Sequence, residues 1–492
     1  MPTRSDLNFQ LKRTAGLLRT IVRNRRAALG LFLLLAFTFM AVAAPIIAPG
    51  NPNASVGGTF AQPEWVTNFP DGYYLSRNIQ PVNDPFFSSP AAVQPWLLAS
   101  STPLYNTQVS YSSQIRAPLG SQGSLQLRYS GSGPSEQNVS LSFRYPYHGP
   151  PKEFLFQVVF IASGASNSTP IKERVFISEG SQVYTVSSLN ETTSGVWYTP
   201  GLTNSEDSQV RTAMGLAGAN FPTAGIIFGT IDTYSFGVDF SFTGPGQVNI
   251  GIAYLQLRGT AFGILGTDNS GHDLYAQLIY GSRVSLYVGL VAAGIGIGLG
   301  LVVGLLAGFL GRLVDEVLMR FTDMVLVIPA LPLLLVLLTV VGRNLTNVIV
   351  IIGFLGWMGF ARIVRSQVLT LRERPFVEAA KAAGAGTSRI LARHIFPNIV
   401  SLTYVNLALA VPGAILTEAA LAFLGLSDPS VVSWGNIYQN AFFGGALVAS
   451  AGVPPWWWLI PPGIAIALVS LSFVLIGFAL DEIFNPRLRR RR

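Results

Sequence analysis

Long apolar runs constrain this chain more than any other feature of its sequence. The runs at 27–48 and 285–310 each exceed the ~20 residues that a helix needs to cross ~30 Å of hydrocarbon. Half of the 492 residues are hydrophobic, only 11% are charged, and the mean hydropathy is +0.44. This composition is typical of an integral membrane protein. We predict six membrane-spanning helices, at 27–48, 285–310, a run that ends near 341, 348–361, 399–424 and 456–479.

The first of these runs also fits a second interpretation, a signal peptide that is cleaved. Ala41, Val42 and Ala43 have the small side chains of a cleavage site. The run is longer, however, than the ~7–15 apolar residues of a usual signal peptide. We therefore expect a retained first transmembrane helix at 27–49, preceded by a basic cytoplasmic N-terminus at 1–26.

The residue types present exclude several kinds of chemistry. The chain has no Cys, so it contains no disulfide, thiol nucleophile or thiolate metal ligand. Its three histidines, His148, His272 and His394, are far apart in sequence, and we expect no metal site. No Lys follows a Gly, so the phosphate-binding loop that ends in Gly-Lys is absent. We expect no catalytic residues, no cofactor bound by this chain and, despite the net charge of +8, no nucleic-acid partner.

Residues 50–262 differ in character from the rest of the chain. Apolar residues alternate with polar ones at Leu125, Leu127 and Tyr129, and again from Val139 to Tyr145. Alternation with a period of two, interrupted by turn residues, is typical of β-strands that bury one face. We predict an inserted all-β domain of about 200 residues, folded as a sandwich, which is large enough for its own core.

A polar stretch between two apolar runs, residues 378–400, has the pattern of two short helices. Ala, Glu and Lys favour a helix, and the paired glycines Gly384 and Gly386 interrupt it. We expect Thr387 or Ser388 to cap the second helix, and Pro397 to end it. A loop that merely connected two spans would need neither helix.

The same stretch resembles the EAA loop of the membrane permeases of ABC importers. The resemblance rests on Glu378-Ala379-Ala380, then Gly384, then Ile395-Phe396-Pro397. It implies that this loop, 366–398, docks onto a cytoplasmic ATPase subunit and couples it to transport. The implied coupling residues are Glu378, Ala379, Ala380, Gly384, Arg389, Arg393, Ile395 and Pro397. The alternative is a surface helical hairpin without a special role.

A second segment, 265–273, resembles the LGTD-x-x-GRD pattern of permeases of the dipeptide/oligopeptide and nickel type. His272 stands where that pattern has Arg, which puts any role of that Arg in doubt. The matching residues are Gly266, Thr267, Asp268, Gly271 and Asp273. We expect 263–283 to form a segment at the outer membrane surface, with a short helix at 275–280 capped by Thr267 or Asp268.

Two features of the predicted membrane helices could carry function. Gly296, Gly300, Gly304 and Gly308 recur every four residues on one helix face, where small residues allow another helix to approach closely. Chance in a glycine-rich span is the alternative. Glu418 interrupts the fifth span, and a carboxylate in hydrocarbon requires a cavity or a partner. It faces either the translocation pathway or a neighbouring helix, and the sequence does not decide between them.

The resemblance implies an all-α membrane core with the type I ABC importer permease fold, here with a β insertion. A transmembrane core at 284–481 would precede a basic cytoplasmic tail at 482–492. Most of the 32 Lys and Arg residues lie on the cytoplasmic side if both termini are cytoplasmic and the β domain is extracytoplasmic. That places the 366–398 loop where an ATPase can reach it.

The implied function is the permease subunit of an ATP-driven importer in the cell membrane, not an enzyme. The resemblance implies a second homologous permease, two ABC ATPase subunits that bind ATP and Mg, and an extracytoplasmic solute-binding protein. Peptides are the expected substrate. Oligosaccharides or nickel are alternatives within the family, and a membrane-anchored surface receptor is a more distant one.

Overall fold

A computed structural model of the chain describes residues 24–100, 106–166, 168–218, 221–446 and 454–484. The chain divides into two compact units. A helical unit comprises Met1–Asn53 and Leu274–Arg492, and a β-rich unit comprises Ala54–Asp273. The segment 265–273 therefore belongs to the β-rich unit, although the sequence suggested a separate segment at 263–283. The predicted basic termini, 1–26 and 482–492, lie largely outside the described residues.

The helical unit begins with α1 (Arg25–Val42), which is followed by the short helix α2 (Ala44–Ile47). The side chain of Asn24 caps α1 by accepting a hydrogen bond from the backbone N–H of Arg26 at 3.1 Å. Asn24 also donates to Glu482, near the end of the last helix, at 2.9 Å. The first and last helices of this unit are therefore joined at one end.

The predicted β-rich insertion is confirmed. Among the described residues, one antiparallel sheet has the strand order β1-β4-β10-β6-β7, and a second has the order β2-β3-β11-β5-β8, with β9 also paired to β5. The strands are β1 (Leu97–Ser100), β2 (Thr107–Ser112), β3 (Ser124–Tyr129), β4 (Ser135–Tyr145), β5 (Glu153–Ser163), β6 (Ile171–Glu179), β7 (Gln182–Glu191), β8 (Trp197–Tyr198), β9 (Thr203–Asn204), β10 (Asp232–Phe242) and β11 (Gly246–Arg258). Two short helices, α3 (Ser208–Ala213) and α4 (Thr223–Ile227), lie between β9 and β10.

The core of the β-rich unit is formed by residues that alternate along both sheets. Leu125 and Leu127 on β3 and Val139 on β4 are fully buried in one hydrophobic cluster. Aromatic side chains fill much of that cluster, and Tyr145 and Tyr234 on adjacent strands are both fully buried there. The period-two pattern in the sequence thus identified the buried face of these strands.

The helical unit continues after the β-rich unit. Its elements are α5 (Leu274–Leu310), α6 (Arg312–Val327), α7 (Ala330–Val341), α8 (Leu345–Leu355), α9 (Met358–Arg372), α10 (Pro375–Ala382), α11 (Thr387–Ile390), α12 (Phe396–Phe423), α13 (Trp434–Phe443) and α14 (Trp456–Phe484). Five helical segments of the described chain are long and apolar enough to cross a membrane, and a bent pair makes a sixth if it counts as one span.

That bent pair is the predicted third span, and it is not a straight helix. The axes of α6 and α7 meet at 91°. Ile328 is extended, because a residue before proline avoids the helical conformation. Pro329 follows it and directly precedes α7. The sequence predicted an apolar run that ends near 341, where α7 ends at Val341, but it missed the break at Pro329.

The expectation of a short surface helix at 275–280, separate from the second span, is wrong. A single helix, α5, runs without interruption from Leu274 to Leu310. The helix continues through Gly281, where the absence of a side chain provides room for the indole of Trp434. The Cδ1 atom of that indole would lie 2.8 Å from an added Cβ. Ser282 is buried and donates to the carbonyl of Ile279 at 2.6 Å, so its polar group is satisfied within the helix.

The predicted fourth span, 348–361, is too short. Apolar helix α8 leads through a break at Gly356 and Trp357 into amphipathic α9, and together they form one candidate span of 28 residues. On α9, Val364 and Val368 are fully buried, whereas Arg362 is exposed. The charged residues had suggested a loop, but they lie on one face of a helix.

Candidate functional site

The polar stretch that resembles a coupling loop forms two short helices joined by a tight turn. Gly384 follows the end of α10 with φ +78°, a conformation that favours glycine. Its N–H donates to the carbonyl of Lys381 at 2.9 Å, and the N–H of Ala385 donates to that of Ala380 at 3.0 Å. These two bonds are the Schellman arrangement, which satisfies the last carbonyls of a helix. Gly384 therefore sets the angle at which α11 leaves α10.

One side of this helix pair is anchored in the helical unit. Val377 on α10 and Ile390 on α11 are buried, together with Ile395 just beyond. All three belong to one hydrophobic cluster with Val364 and Val368 of α9. The pair therefore packs on the amphipathic helix before it and is held as a defined surface.

The other side of the pair is exposed to solvent. Glu378, Ala379, Gly384, Arg389 and Arg393 are exposed, and we call these five residues the coupling surface. It offers one carboxylate and two guanidinium groups around a patch of small side chains. Such a surface permits close approach of a partner backbone and charged hydrogen bonds at its rim.

The remaining three predicted coupling residues lie elsewhere. Ala380 is half-buried against the hydrophobic cluster, and Ile395 is fully buried within it. Ile395 therefore anchors the stretch and does not present a side chain to a partner. Pro397 is exposed, in the first turn of α12.

Pro397 does not end the second helix, contrary to expectation. A single π-helical turn, Leu391–Ile395, connects α11 to α12, and the whole segment Thr387–Phe423 forms one candidate span. Proline is tolerated in the first turn of α12, where its missing N–H removes no essential bond. The side-chain amide of Asn398 donates to the carbonyl of His394 at 2.7 Å. The predicted cap is also wrong, because Gly386 precedes α11 and no side chain caps that helix.

Contacts that sequence reasoning missed link α9 and the coupling stretch to the helices around them. Arg365 on α9 donates to both carboxylate oxygens of Asp315 on α6, with Nη2 2.6 Å from Oδ2. Arg362, also on α9, pairs with Asp323 on α6. The ammonium of Lys381 lies 5.6 Å from the ring centre of Phe309. Asp315 and Asp323, two turns apart on α6, were the available signal, but only the fold shows that α6 pairs with basic α9.

The four glycines on α5 face α9 and the end of α8. An added Cβ on Gly300 would lie 2.6 Å from the carbonyl oxygen of Trp357, and one on Gly304 would lie 2.6 Å from that of Ala361. On Gly308 it would meet Val368 at 2.6 Å, and on Gly296 the carbonyl oxygen of Gly353 at 3.2 Å. These distances leave no room for a side chain at three of the four positions.

Glu418 is fully buried on α12. Its Oε1 accepts a hydrogen bond from the hydroxyl of Ser433 at 2.8 Å, whereas its Oε2 has no partner among the described residues. A nearby cavity of about 330 Å³ is lined by small and apolar side chains that include Gly296, Gly413 and Thr417. Glu418 does not line this cavity, so its one described bond matches the helix-to-helix alternative.

The segment 265–273, which we call the clasp, is hydrogen-bonded to residues 58 and 61 within the β-rich unit. Thr267 donates its hydroxyl to the carbonyl of Gly58 at 2.5 Å and accepts from the N–H of Ala61 at 2.8 Å. Gly271 has φ +76°, and an added Cβ would lie 2.3 Å from the carbonyl oxygen of Gly57. Asp273 pairs with Thr267 through an isolated β-bridge. The segment, which includes Gly266 at φ +71°, thus holds residues 57–61 in place.

Asp268 and His272 form the polar centre of that clasp. The Asp268 carboxylate accepts from the backbone N–H groups of Ser270 at 2.8 Å and His272 at 2.9 Å. It also lies 2.7 Å from Nδ1 of His272, and this hydrogen bond raises the pKa of the imidazole above its usual value.

Comparison with known proteins identifies the family. Residues 300–490 match the family described as binding-protein-dependent transport system inner membrane component. Residues 14–64 match the N-terminal transmembrane domain of oligopeptide transport permease C. The chain is 36% identical over 231 residues to the oligopeptide transport system permease protein OppC of Bacillus subtilis, a match that covers 46% of this chain and 72% of the relative.

Solved structures resemble parts of the chain. A chain of the MetNI methionine ABC transporter, in an inward-facing conformation, is 20% identical, with a TM-score of 0.32 and coverage of 42% of this chain and 96% of that one. The carbohydrate-binding module TmCBM61, solved with a galactotriose, is 10% identical, with a TM-score of 0.23 and coverage of 36% and 97%.

The two family matches leave most of the β-rich unit uncovered, since one ends at residue 64 and the other begins at residue 300. The chain is therefore a multi-pass membrane permease with a β-rich insertion. It is a transport subunit and not an enzyme. It belongs to the family of inner membrane components of binding-protein-dependent transport systems.

Proposed function

We propose that this chain is the permease subunit of an ATP-driven importer, and that its substrates are short peptides delivered by a solute-binding protein. The peptide substrate is supported by the relatives, since several are named as peptide or oligopeptide permeases. The proposal that an ATPase drives transport rests on the coupling surface. It is polar, exposed and held by buried anchors, as a surface that transmits a partner's movement must be.

Two ATPase subunits bind the ATP and Mg of the transport cycle, and this chain binds neither. One ATPase contacts the coupling surface, with Glu378 accepting hydrogen bonds and Arg389 and Arg393 donating them. Movement of the ATPase displaces α10 and α11 as a rigid body. Because Val377 and Ile390 pack on α9, that displacement reaches the transmembrane helices.

A second, homologous permease completes the translocation pathway. The cavity of about 330 Å³ lined by Gly296, Leu334 and Thr417 contributes to this chain's half of it. The side chains that line it are apolar and mostly small, which suits passage of a substrate without tight binding. Glu418 supports the adjoining helix from outside the cavity and does not contact the substrate.

The six-span topology places both termini in the cytoplasm and the β-rich unit outside it. The distribution of Lys and Arg supports this orientation, since the segment 362–393 that carries the coupling surface is basic. The β-rich unit is a sandwich, with its two sheets packed on one shared hydrophobic cluster.

The Gly384→Asp variant tests the coupling surface. An Asp at φ +78° strains the turn and adds a carboxylate to the surface. We expect normal expression, loss of ATPase association and loss of uptake. Gly180→Asp is the matched control, because it places the same residue at an exposed glycine with φ +55° in the β-rich unit. Normal ATPase association and uptake by Gly384→Asp would refute the proposed docking site.

Purification through a C-terminal tag, followed by mass spectrometry, tests the partners. Recovery of ATPase subunits and a second permease is the expected result, and the ligand of a co-purifying binding protein then distinguishes peptides from oligosaccharides or nickel. Recovery of this chain alone, under conditions that preserve other ABC complexes, would favour a surface receptor instead.

A further inference from the structure

The β-rich unit contains a cavity of about 520 Å³ that the proposed transport mechanism does not use. It is lined by β6 and the edge strand β7 of one sheet and by β5 and the edge strand β8 of the other, with α3 along one side. Sites for small molecules typically have volumes of about 300–1,000 Å³. This cavity is therefore large enough for a small organic molecule and much too large for a single metal ion.

A buried carboxylate lines this cavity. Glu173 is only 3% exposed, and its Oε2 has no hydrogen-bond partner among the described residues. The strand register explains why, since its neighbours across the sheet are Phe240 on β10 and Leu189 on β7. Along β6 it lies between Ile171 and Val175, both of which face the hydrophobic core. Apolar residues therefore neighbour Glu173 on four sides, and the residue also lines the cavity.

No cation in the cavity wall compensates for this charge. Glu173 is the only charged residue among those that line the cavity. A buried carboxylate without a partner is destabilising by several kcal/mol, and burial raises the pKa of Glu173 to about 7. A bound cation would remove that penalty.

The rest of the lining determines what kind of cation fits. Polar groups that can bind amides or hydroxyls come from Gln157, Ser187, Thr203 and Gln209, and apolar walls come from residues such as Val186. One carboxylate provides too few ligands for a metal, and no group of three metal-ligating side chains occurs in the described residues. An organic ligand with one positive charge, hydrogen-bonding groups and an apolar part matches all three features.

We propose that this cavity binds a small molecule that carries a protonated amino group, with the carboxylate of Glu173 as its counter-ion. The ligand class follows from the cavity itself. That the natural ligand is the amino-terminal part of a short peptide rests on the proposed function of the chain.

Binding to the full chain in lipid nanodiscs, measured by isothermal titration calorimetry near neutral pH, tests this proposal. The probes are the dipeptide Ala-Phe, its N-acetylated form, phenethylamine and the neutral disaccharide cellobiose. We expect Ala-Phe and phenethylamine to bind, and acetylation to weaken binding at least about tenfold, because it removes the charge that Glu173 would pair. Equal binding of the two peptides, binding of cellobiose alone, or no binding at all would overturn the proposal.

Three variants locate the site. Glu173→Gln keeps the size of the side chain and should weaken amine binding at least about tenfold. Ala213→Phe should block the cavity from α3 without touching the carboxylate, and should have the same effect. Glu191→Gln is the matched control, since it removes a carboxylate from β7 outside the lining and should leave binding unchanged. Unchanged binding in Glu173→Gln would refute the proposed counter-ion.

Uptake of Ala-Phe by the complete transporter, measured separately, distinguishes this proposal from the proposed function. Uptake without binding to this chain overturns the cavity proposal alone. Binding of phenethylamine to the cavity without peptide uptake supports the ligand class and contradicts the peptide-import function.

Discussion

Ser433 donates its hydroxyl hydrogen to Oε1 of Glu418 at 2.8 Å, and both side chains are fully buried in the helical unit. The Ser433 oxygen also caps α13 by accepting from the N–H of Asn436 at 3.2 Å. Glu418 on α12 thus orients the residue that starts α13. The two helices are close there, since a Cβ added to Gly435 would lie 2.7 Å from Cα of Ala419.

Substitutions at Glu418 separate a structural role from a role in the pathway. Glu418→Ala should destabilise the helical unit by about 2–4 kcal/mol, because it leaves a void and removes the acceptor for Ser433. Glu418→Gln retains an acceptor oxygen, so its effect should be within about 1 kcal/mol, with normal uptake. Thermal unfolding in nanodiscs and peptide uptake measure the two effects. Loss of uptake by Glu418→Gln with unchanged unfolding would place this carboxylate in the pathway.

The glycines of α5 predict a position-dependent response to a single methyl group. Gly300→Ala should destabilise the helical unit by about 1–3 kcal/mol, since the added Cβ would overlap the carbonyl oxygen of Trp357, which cannot move without shifting α9. Gly298→Ala is the matched control on the opposite face, where nothing lies within 4 Å of an added Cβ. It should be neutral or slightly stabilising. Equal unfolding temperatures for the two variants would contradict the packing of α5 on α9.

The Asp268–His272 pair predicts a pH dependence that one substitution should remove. Because the hydrogen bond to Asp268 raises the pKa of folded His272 above its unfolded value, the folded state binds the proton more tightly. Its stabilising contribution is complete below about pH 6.5, and it is lost as the pH rises through the folded pKa. Hydrogen exchange of peptides around 265–273, in the full chain, reports this loss.

His272→Arg should abolish the pH-dependent step, because a guanidinium stays charged throughout this range. His272→Gln should show the weaker protection at every pH. If wild-type protection did not change between about pH 5 and about pH 8, the charged pair would be excluded.

Glu173 predicts a second pH dependence, in the strands around it. Burial raises its folded pKa to about 7 from an ordinary 4.5, so the folded state holds the proton over a range in which the unfolded state has lost it. The contribution of Glu173 to the stability of the β-rich unit should therefore be greatest below about pH 4.5 and fall by about 3 kcal/mol as the pH rises to about 7. Exchange protection of β6 and β10 should fall accordingly in wild type and stay level in Glu173→Gln. A level profile in both proteins would contradict the burial of an uncompensated carboxylate.

Sequence patterns predicted the parts of the fold that depend on local periodicity. Alternation at Leu125 and Leu127 identified a buried strand face, and the four-residue spacing of the glycines identified the face of α5 that contacts another helix. The role of Pro397 was misjudged and the break at Pro329 was missed, because whether a proline ends, starts or bends a helix depends on the residues packed around it. One starts α12 after a π-helical turn, and the other bends a predicted span by 91°.

Contacts between distant segments could not be predicted. The Arg365–Asp315 pair and the division of the coupling stretch into anchored and exposed sides both require helices that only the fold brings together. Glu173 is an intermediate case. Its position between Ile171 and Val175 in an alternating strand places it on the buried face, but no strand was predicted there and the cavity beside it depends on the fold.

The claim that the coupling surface docks an ATPase is tested most directly by cross-linking from single cysteines. The chain has no native Cys, so a variant such as Ala379→Cys carries one unique thiol on the exposed surface. With a photoactivatable reagent on that thiol, we predict a cross-link to an ATPase subunit in the assembled transporter. Val340→Cys, an 80% exposed position at the end of α7, is the control and should give none. An assembled transporter that cross-links from neither position, or only from Val340→Cys, would contradict the account.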